Sequence, residues 1–313
     1  MTHPTPQTMS HHQQRIGLIL ALSSAALFSL KGVVVKLALT QGVNVETLML
    51  WRMAMSLPVY VVVGGLVLRR AYATASASPS RATFAAAAGL GVLSYYVCTW
   101  LDFTGMRFIS AQLERMVLFT YPILTAGLSW LLLGERFTRR HALALILSYA
   151  GIILVFRAEA QSVGPDAAWG IGLVFSAALL FAFYVIFAKV TIRRMGPKLF
   201  TCVAMIAATL AIVTHNVVRL KLSEASWLTV FSLPAVTAGI FLAAVCTVLP
   251  SFMLSEAIDR IGAGRTSAAG NVGPVVTTIA AVTILGEPFG LSQAGGLALI
   301  LLGVGMLGKV SNA

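Results

Sequence analysis

From Met116 to Gly134 the chain has no charged side chain, and most of that run is apolar. A helix crosses the hydrocarbon of a bilayer with about 20 such residues. Stretches of this kind recur at 16–38, 46–68, 82–103, 109–132, 140–156, 169–190, 199–218, 231–254, 266–286 and 290–308. In lipid every backbone N–H and C=O must be satisfied internally, which leaves only helices and closed barrels. These runs are too long and too evenly apolar for strands that alternate between lipid and lumen. The expectation is an all-α integral membrane protein with ten transmembrane helices.

Composition agrees. Of 313 residues, 58% are hydrophobic and only 10% charged, against about 25% charged in soluble chains. Such a chain cannot cover its exterior with polar groups. The net charge of +12 is spread over the segments between apolar runs, so it points to a membrane surface and excludes nucleic acid as partner. Cys98, Cys202 and Cys246 lie inside apolar segments with no metal or redox spacing. The histidines are scattered, no nucleotide-binding loop occurs and nothing catalytic stands out. No enzyme, metal site or cofactor is therefore expected. Residues 1–15 form a polar tail, followed by an uncleaved first span.

Orientation follows from Lys and Arg near the span ends. Fourteen lie on the side of the N-terminus and five on the other, which places both termini in the cytoplasm.

The two halves echo each other. TYPILTAGLSWLLLGE at 120–135 parallels VGPVVTTIAAVTILGE at 272–287, pairing Pro122 with Pro274, Gly134 with Gly286 and Glu135 with Glu287; Gly151 pairs with Gly303. Gly17, Ser23, Phe28 and Lys36 likewise match Gly170, Ser176, Phe181 and Lys189. The reading is two five-helix units, 16–157 and 168–309. Five is odd, so the second enters the membrane from the opposite side. Inverted repeats are a recurrent transporter architecture, with substrate bound near the repeat interface.

Ten spans, two five-helix halves and a Pro-x11-Gly-Glu pattern in each half resemble the drug/metabolite transporter superfamily, EamA-like branch, over residues 16 to 308. The resemblance implies a permease of the bacterial inner membrane, usually an exporter of small metabolites such as amino acids, pigments, nucleosides or metallophores. The chain departs from the usual apolar start of the fourth helix by placing Glu114 and Arg115 there.

A charge at the bilayer centre costs about 2.5–3.5 kcal/mol on insertion scales, so intramembrane charges tend to face a partner or a cavity. At about 1.5 Å per residue, Lys31 lies roughly 22 Å along the first span. By the same measure Arg52 is about 9 Å and Glu114 about 7.5 Å from the outer ends of theirs. Asp102 closes the third span. The four fall in one layer. Neighbours on a helix point about 100° apart, so Glu114 and Arg115 each need another partner. Lys31 or Arg52 can answer Glu114, and Asp102 can answer Arg115.

Plainer readings stand beside this one. Lys31 and Arg52 can snorkel, Lys36 is expected to do so, Asp102 reads as a helix-end residue, and Glu114–Arg115 can be a structural lock. Tyr95, Thr99 and Asp102 form a polar stripe, with Trp100 and Phe103 on another face as belt residues. Tyr121 and Tyr184 lie near mid-helix. Pro122 and Pro274 are candidate hinges or static kinks. Asn271 is a binding donor or interhelical glue. Glycines of the last span suit close packing and a homodimer contact.

The expected function is secondary transport, proton-coupled or facilitative, exporting from the cytoplasm a metabolite that bears a carboxylate and an amine, such as an amino acid or an amino-acid derivative. The candidate site is Lys31, Arg52, Tyr95, Asp102, Glu114, Arg115, Tyr121, Tyr184 and Asn271. An uptake permease, a lipid-carrier flippase and a non-transporting sensor or subunit are the alternatives.

Overall fold

The computed structural model describes residues 11–73, 79–134, 139–163, 166–222 and 230–308. Among them every regular element is helical. The chain opens with α1 (His11–Thr40), α2 (Val45–Ala73) and α3 (Arg81–Gly91), the last capped by the Ser80 hydroxyl, which accepts from the Thr83 amide. A π-helical stretch, Val92–Cys98, leads into α4 (Thr99–Gly105). Next come α5 (Ala111–Leu118), α6 (Tyr121–Leu133), α7 (Arg139–Val163), α8 (Ala167–Met195) and α9 (Pro197–Leu222). The remainder is α10 (Leu233–Ala243), a second π-helical stretch (Ala244–Val248), α11 (Leu249–Ala269), a 3-10 turn (Gly270–Val272), α12 (Gly273–Leu285) and α13 (Leu291–Gly308).

Eight helical stretches are long and apolar enough to span a bilayer, from Gln13–Thr40 through Leu233–Leu254, and two shorter apolar helices come after them, Gly273–Leu285 and Leu291–Met306. Large apolar side chains such as Ile19, Val62, Leu131 and Ile146 are exposed on the outside, as a lipid-facing surface requires. The chain is a multi-pass membrane protein.

One expectation needs correction and another gains detail. The connection expected around 255–265 is helical, since α11 runs through it. Glu256 and Arg260, one turn apart and 2.7 Å from each other, support the helix there. The span expected at 109–132 is present as Ala111–Leu132, with a turn at Phe119–Thr120 between the end of α5 at Leu118 and the start of α6 at Tyr121. Pro122 sits in the first turn of α6, as Pro274 does in α12. A proline there has no amide to leave unsatisfied, so each marks a new start rather than a kink. The Gly134-Glu135-Arg136 connection lies mostly outside the described residues.

Local conformations recur between the halves. Gly134 and Gly286 both take φ 68°, and Gly42 and Gly196 take φ 80° and 81°. The π-helical stretches share the register that pairs Pro122 with Pro274. The halves are nevertheless interleaved: α1 packs along α11, α7 along α13, and α2 against α9 and α10. At the α7–α13 crossing a Cβ on Gly151 would meet the Gly296 carbonyl at 2.7 Å, and one on Gly296 would meet the Gly151 carbonyl at 2.8 Å. Only glycine on both sides lets the backbones approach so closely.

Candidate functional site

Lys31, on the interior face of α1, places Nζ 2.6 Å from Asp102 Oδ2 on α4. Neither Lys31 nor Arg52 snorkels. Arg52 is 6% exposed, and its Nε donates to Thr247 Oγ1 of the second π-helical stretch at 2.9 Å. Phe103 lies beneath both cations, with Lys31 Nζ 5.5 Å and Arg52 Cζ 5.9 Å from the ring centre. Phe103 is fully buried, so it supports the charged layer instead of joining an interfacial belt. Trp100 is tied as well, its indole N–H donating to Glu46 at 3.3 Å.

Glu114 and Arg115 turn in different directions, as adjacent helical residues must. Glu114 is 1% exposed, and among the described residues no N–H or hydroxyl donor bonds to either carboxylate oxygen; the side chain it meets is the Asp102 carboxyl. It stands within electrostatic reach of Asp102, Lys31 and Arg115. Its Oε2 presses on the backbone of α1, where a Cβ at Gly32 would come within 2.9 Å. Arg115 reaches Ser29, donating from Nη2 to Oγ at 3.0 Å, while Ser29 Oγ donates to the Ala25 carbonyl at 2.6 Å. The guanidinium passes over the start of α12, where a Cβ at Gly273 would meet Nη2 at 2.6 Å. Two glycines from opposite halves thus make room for the two charges.

The pairing differs from the expected one. Lys31 has taken Asp102, Arg115 has taken a serine, and Glu114 has no cation at bonding distance. Among the described residues, neither Arg52 nor Arg115 forms an ion pair with a carboxylate. A sequence shows which charges are buried; the rotation of each helix decides which of them meet.

The helix carrying this pair is held from both sides. Ser110 Oγ accepts from the Leu113 amide at 3.0 Å, a local N-cap. Glu287, from the distant Gly-Glu turn, accepts from the Ala111 amide at 2.7 Å and the Gln112 amide at 3.1 Å. Lys36 donates to the Met106 and Ile109 carbonyls at 2.7 and 2.6 Å, so it too points inward. Beside this strap lies a cavity of about 350 Å³, lined by Lys36, Gly42, Glu46, Met106 and Arg107.

An aromatic row adjoins the charges. Tyr121 meets Phe181 edge-on at 5.0 Å, Phe181 stacks on Tyr184 at 5.4 Å, and Tyr184 meets Tyr95 at 6.1 Å. The hydroxyls of Tyr95 and Tyr184 are 3.5 Å apart. The intervening π-helical stretch resets the register of the stripe expected from Tyr95 to Asp102, because its turns hold more residues than an α-helix. The backbone of Asn271 is in the 3-10 turn before α12; its side chain lies outside the described residues.

Sequence reasoning does not assign Ser29, Thr247 or Phe103 to the layer, nor a partner to Glu287. Thr247 carries one recoverable signal, since the register that pairs Pro122 with Pro274 also pairs Thr247 with Tyr95. For Glu287 the Gly-Glu repetition is visible, but not what it grips.

Comparison with known proteins agrees with this architecture. The EamA-like transporter family matches at residues 15–157 and again at 168–308. Uncharacterized transporter YcbK of Bacillus subtilis is 23% identical over 291 residues, covering 92% of each chain. Uncharacterized transporter YyaM of the same organism is 25% identical over 217 residues, covering 69% of this chain and 70% of its own. A solved crystal structure superposes with a TM-score of 0.61 at 14% identity, covering 95% of this chain and 97% of the other, a likeness of fold. With the family matched over most of its length, the chain belongs to the EamA-like transporter family.

Proposed function

We propose that the protein is a secondary transporter that moves a small organic metabolite, such as an amino acid or an amino-acid derivative, out of the cytoplasm. The observation that carries this reading is the pair of buried, unmatched charges. Arg52 on α2 and Glu114 on α5 are each enclosed without an oppositely charged partner at bonding distance. An uncompensated buried charge is strongly destabilising, so groups kept in this state suit a ligand that brings the missing charges. Arg52 and Arg115 offer planar forks for a carboxylate. Glu114 offers acceptors to an amine, or a place for a proton as coupling ion. Tyr95, Tyr121, Tyr184 and Asn271 would line the same passage, with Pro122 and Pro274 at its hinges.

In this reading the shorter helices also cross, giving ten spans in two inverted units at 16–157 and 168–309. Both termini face the cytoplasm of a bacterial cell with the protein in its inner membrane. Uptake of radiolabelled amino acids into inside-out vesicles from expressing cells tests the proposal, because flow in that direction is export. Accumulation above that of vesicles without the protein supports it. No accumulation of any amino acid sinks the substrate class.

A further inference from the structure

The Gly-Glu turn is the motif that the proposed passage does not use. Gly286 has positive φ, and Glu287 leaves it to reach α5, 176 residues away in the chain, with both carboxylate oxygens. Ser110 already supplies the local cap of α5 through its neutral hydroxyl, so Glu287 is a second capping group and brings an anion to a helix start, where backbone amides favour negative charge. The neighbouring Gln112 side chain adds a bond to the Pro288 carbonyl at 3.2 Å. At its other end α5 meets α6 through a turn at Phe119–Thr120, where the Thr120 amide bonds to the Val117 carbonyl and the Leu124 amide to the Thr120 carbonyl. The helix with Glu114 and Arg115 is thus joined to its continuation by an irregular turn below and gripped from another element above.

We propose that Glu287 is a positioning residue for transport: its carboxylate locks α5 across this end of the passage, and release of Ala111 and Gln112 lets α5 pivot at Phe119–Thr120. Lys36 holds the same strap by its carbonyls and serves as the fixed side of the joint. Opening carries Glu114 and Arg115 away from α1 and joins the layer to the cavity beside Lys36. This inference rests on the transport reading.

Native thiols report the motion without any solute. Cys98 lies within electrostatic reach of Asp102 and Lys31 and is 6% exposed, whereas Cys202 is 2% exposed and packed in the apolar core with Tyr60 and Met205. In proteoliposomes treated with a membrane-impermeant maleimide and read by mass spectrometry, Glu287→Gln is expected to label Cys98 several-fold faster, with Cys202 unchanged. An unchanged rate at Cys98, or equal acceleration at both thiols, overturns the lock. Should Glu287→Gln fail to fold, a disulfide between Gln112→Cys and Pro288→Cys tests the same step. The oxidised form is expected to label Cys98 several-fold more slowly than the reduced form and to pass no solute; equal labelling overturns the proposal. Flux with no labelling response removes the lock alone. A labelling response with no flux of any metabolite removes the transport reading and leaves the hinged helix.

Discussion

Lys31 and Asp102, drawn from α1 and α4, meet at 2.6 Å with 16% and 4% of their side chains exposed. Removing one partner of such a pair strands the other charge, at a cost of about 3–5 kcal/mol. Asp102→Ala is therefore expected to lower the melting temperature in detergent clearly and to abolish efflux. Replacing both residues with apolar ones, Lys31→Met with Asp102→Leu, is expected to recover most of the stability and none of the efflux. Recovery of both would make the pair a packing device only.

Arg52 has a different expectation because its bond to Thr247 occupies Nε and leaves the outer guanidinium nitrogens for a solute. Lysine keeps the charge but loses the planar fork. Arg52→Lys is expected to raise the half-saturating concentration of a carboxylate solute about tenfold, corresponding to about 1.4 kcal/mol, with little change in melting temperature. Thr247→Val removes one neutral partner and should cost about 1 kcal/mol of stability. Dose–response efflux and thermal unfolding separate the two.

A side chain at Gly32 or Gly273 should displace the charged group packed against it. A methyl at Gly32 comes within 2.9 Å of Glu114 Oε2, and one at Gly273 within 2.6 Å of Arg115 Nη2. Gly32→Ala is expected to cut efflux at least tenfold while the protein still elutes as a folded species. Adding Glu114→Asp, which withdraws the carboxylate by one methylene, should restore part of it. No rescue by the shorter acid would separate the glycine from the carboxylate.

Pro122 marks the restart of a broken span, so its replacement should act on rate more than on affinity. Pro122→Ala restores an amide that can bond back toward Leu118 and knit α5 to α6. The maximal efflux rate is expected to fall several-fold at unchanged half-saturation. A change in half-saturation alone would place the proline in binding instead.

Much of this is legible in the chain. Apolar run lengths locate the helices, and the echo of Pro122 in Pro274 anticipates the matched helix starts. Burial of Lys31, Arg52, Asp102 and Glu114 follows from their depth. The pairings do not, because depth along a helix says nothing of azimuth, and the π-helical stretch at Val92–Cys98 rotates α4 relative to α3. Phe103 faces the charged layer rather than a belt for that reason. The break at Phe119–Thr120 is indistinguishable from a bend at the level of sequence, since a lone proline signals both. Glu287 is visible as half of a motif, while its grip on Ala111 depends on contacts between distant segments.

The interleaving of the halves has a consequence for synthesis. Thr247, which receives Arg52, emerges from the ribosome 195 residues after it, and Glu287 comes 176 residues after Ala111. A nascent chain holding only the earlier helices must therefore lodge Arg52 and the open start of α5 in the insertion machinery or against headgroups until their later partners arrive. Whatever shelters those groups in the interval acts as a chaperone for this fold, and a chain stalled midway is an early substrate for membrane quality control.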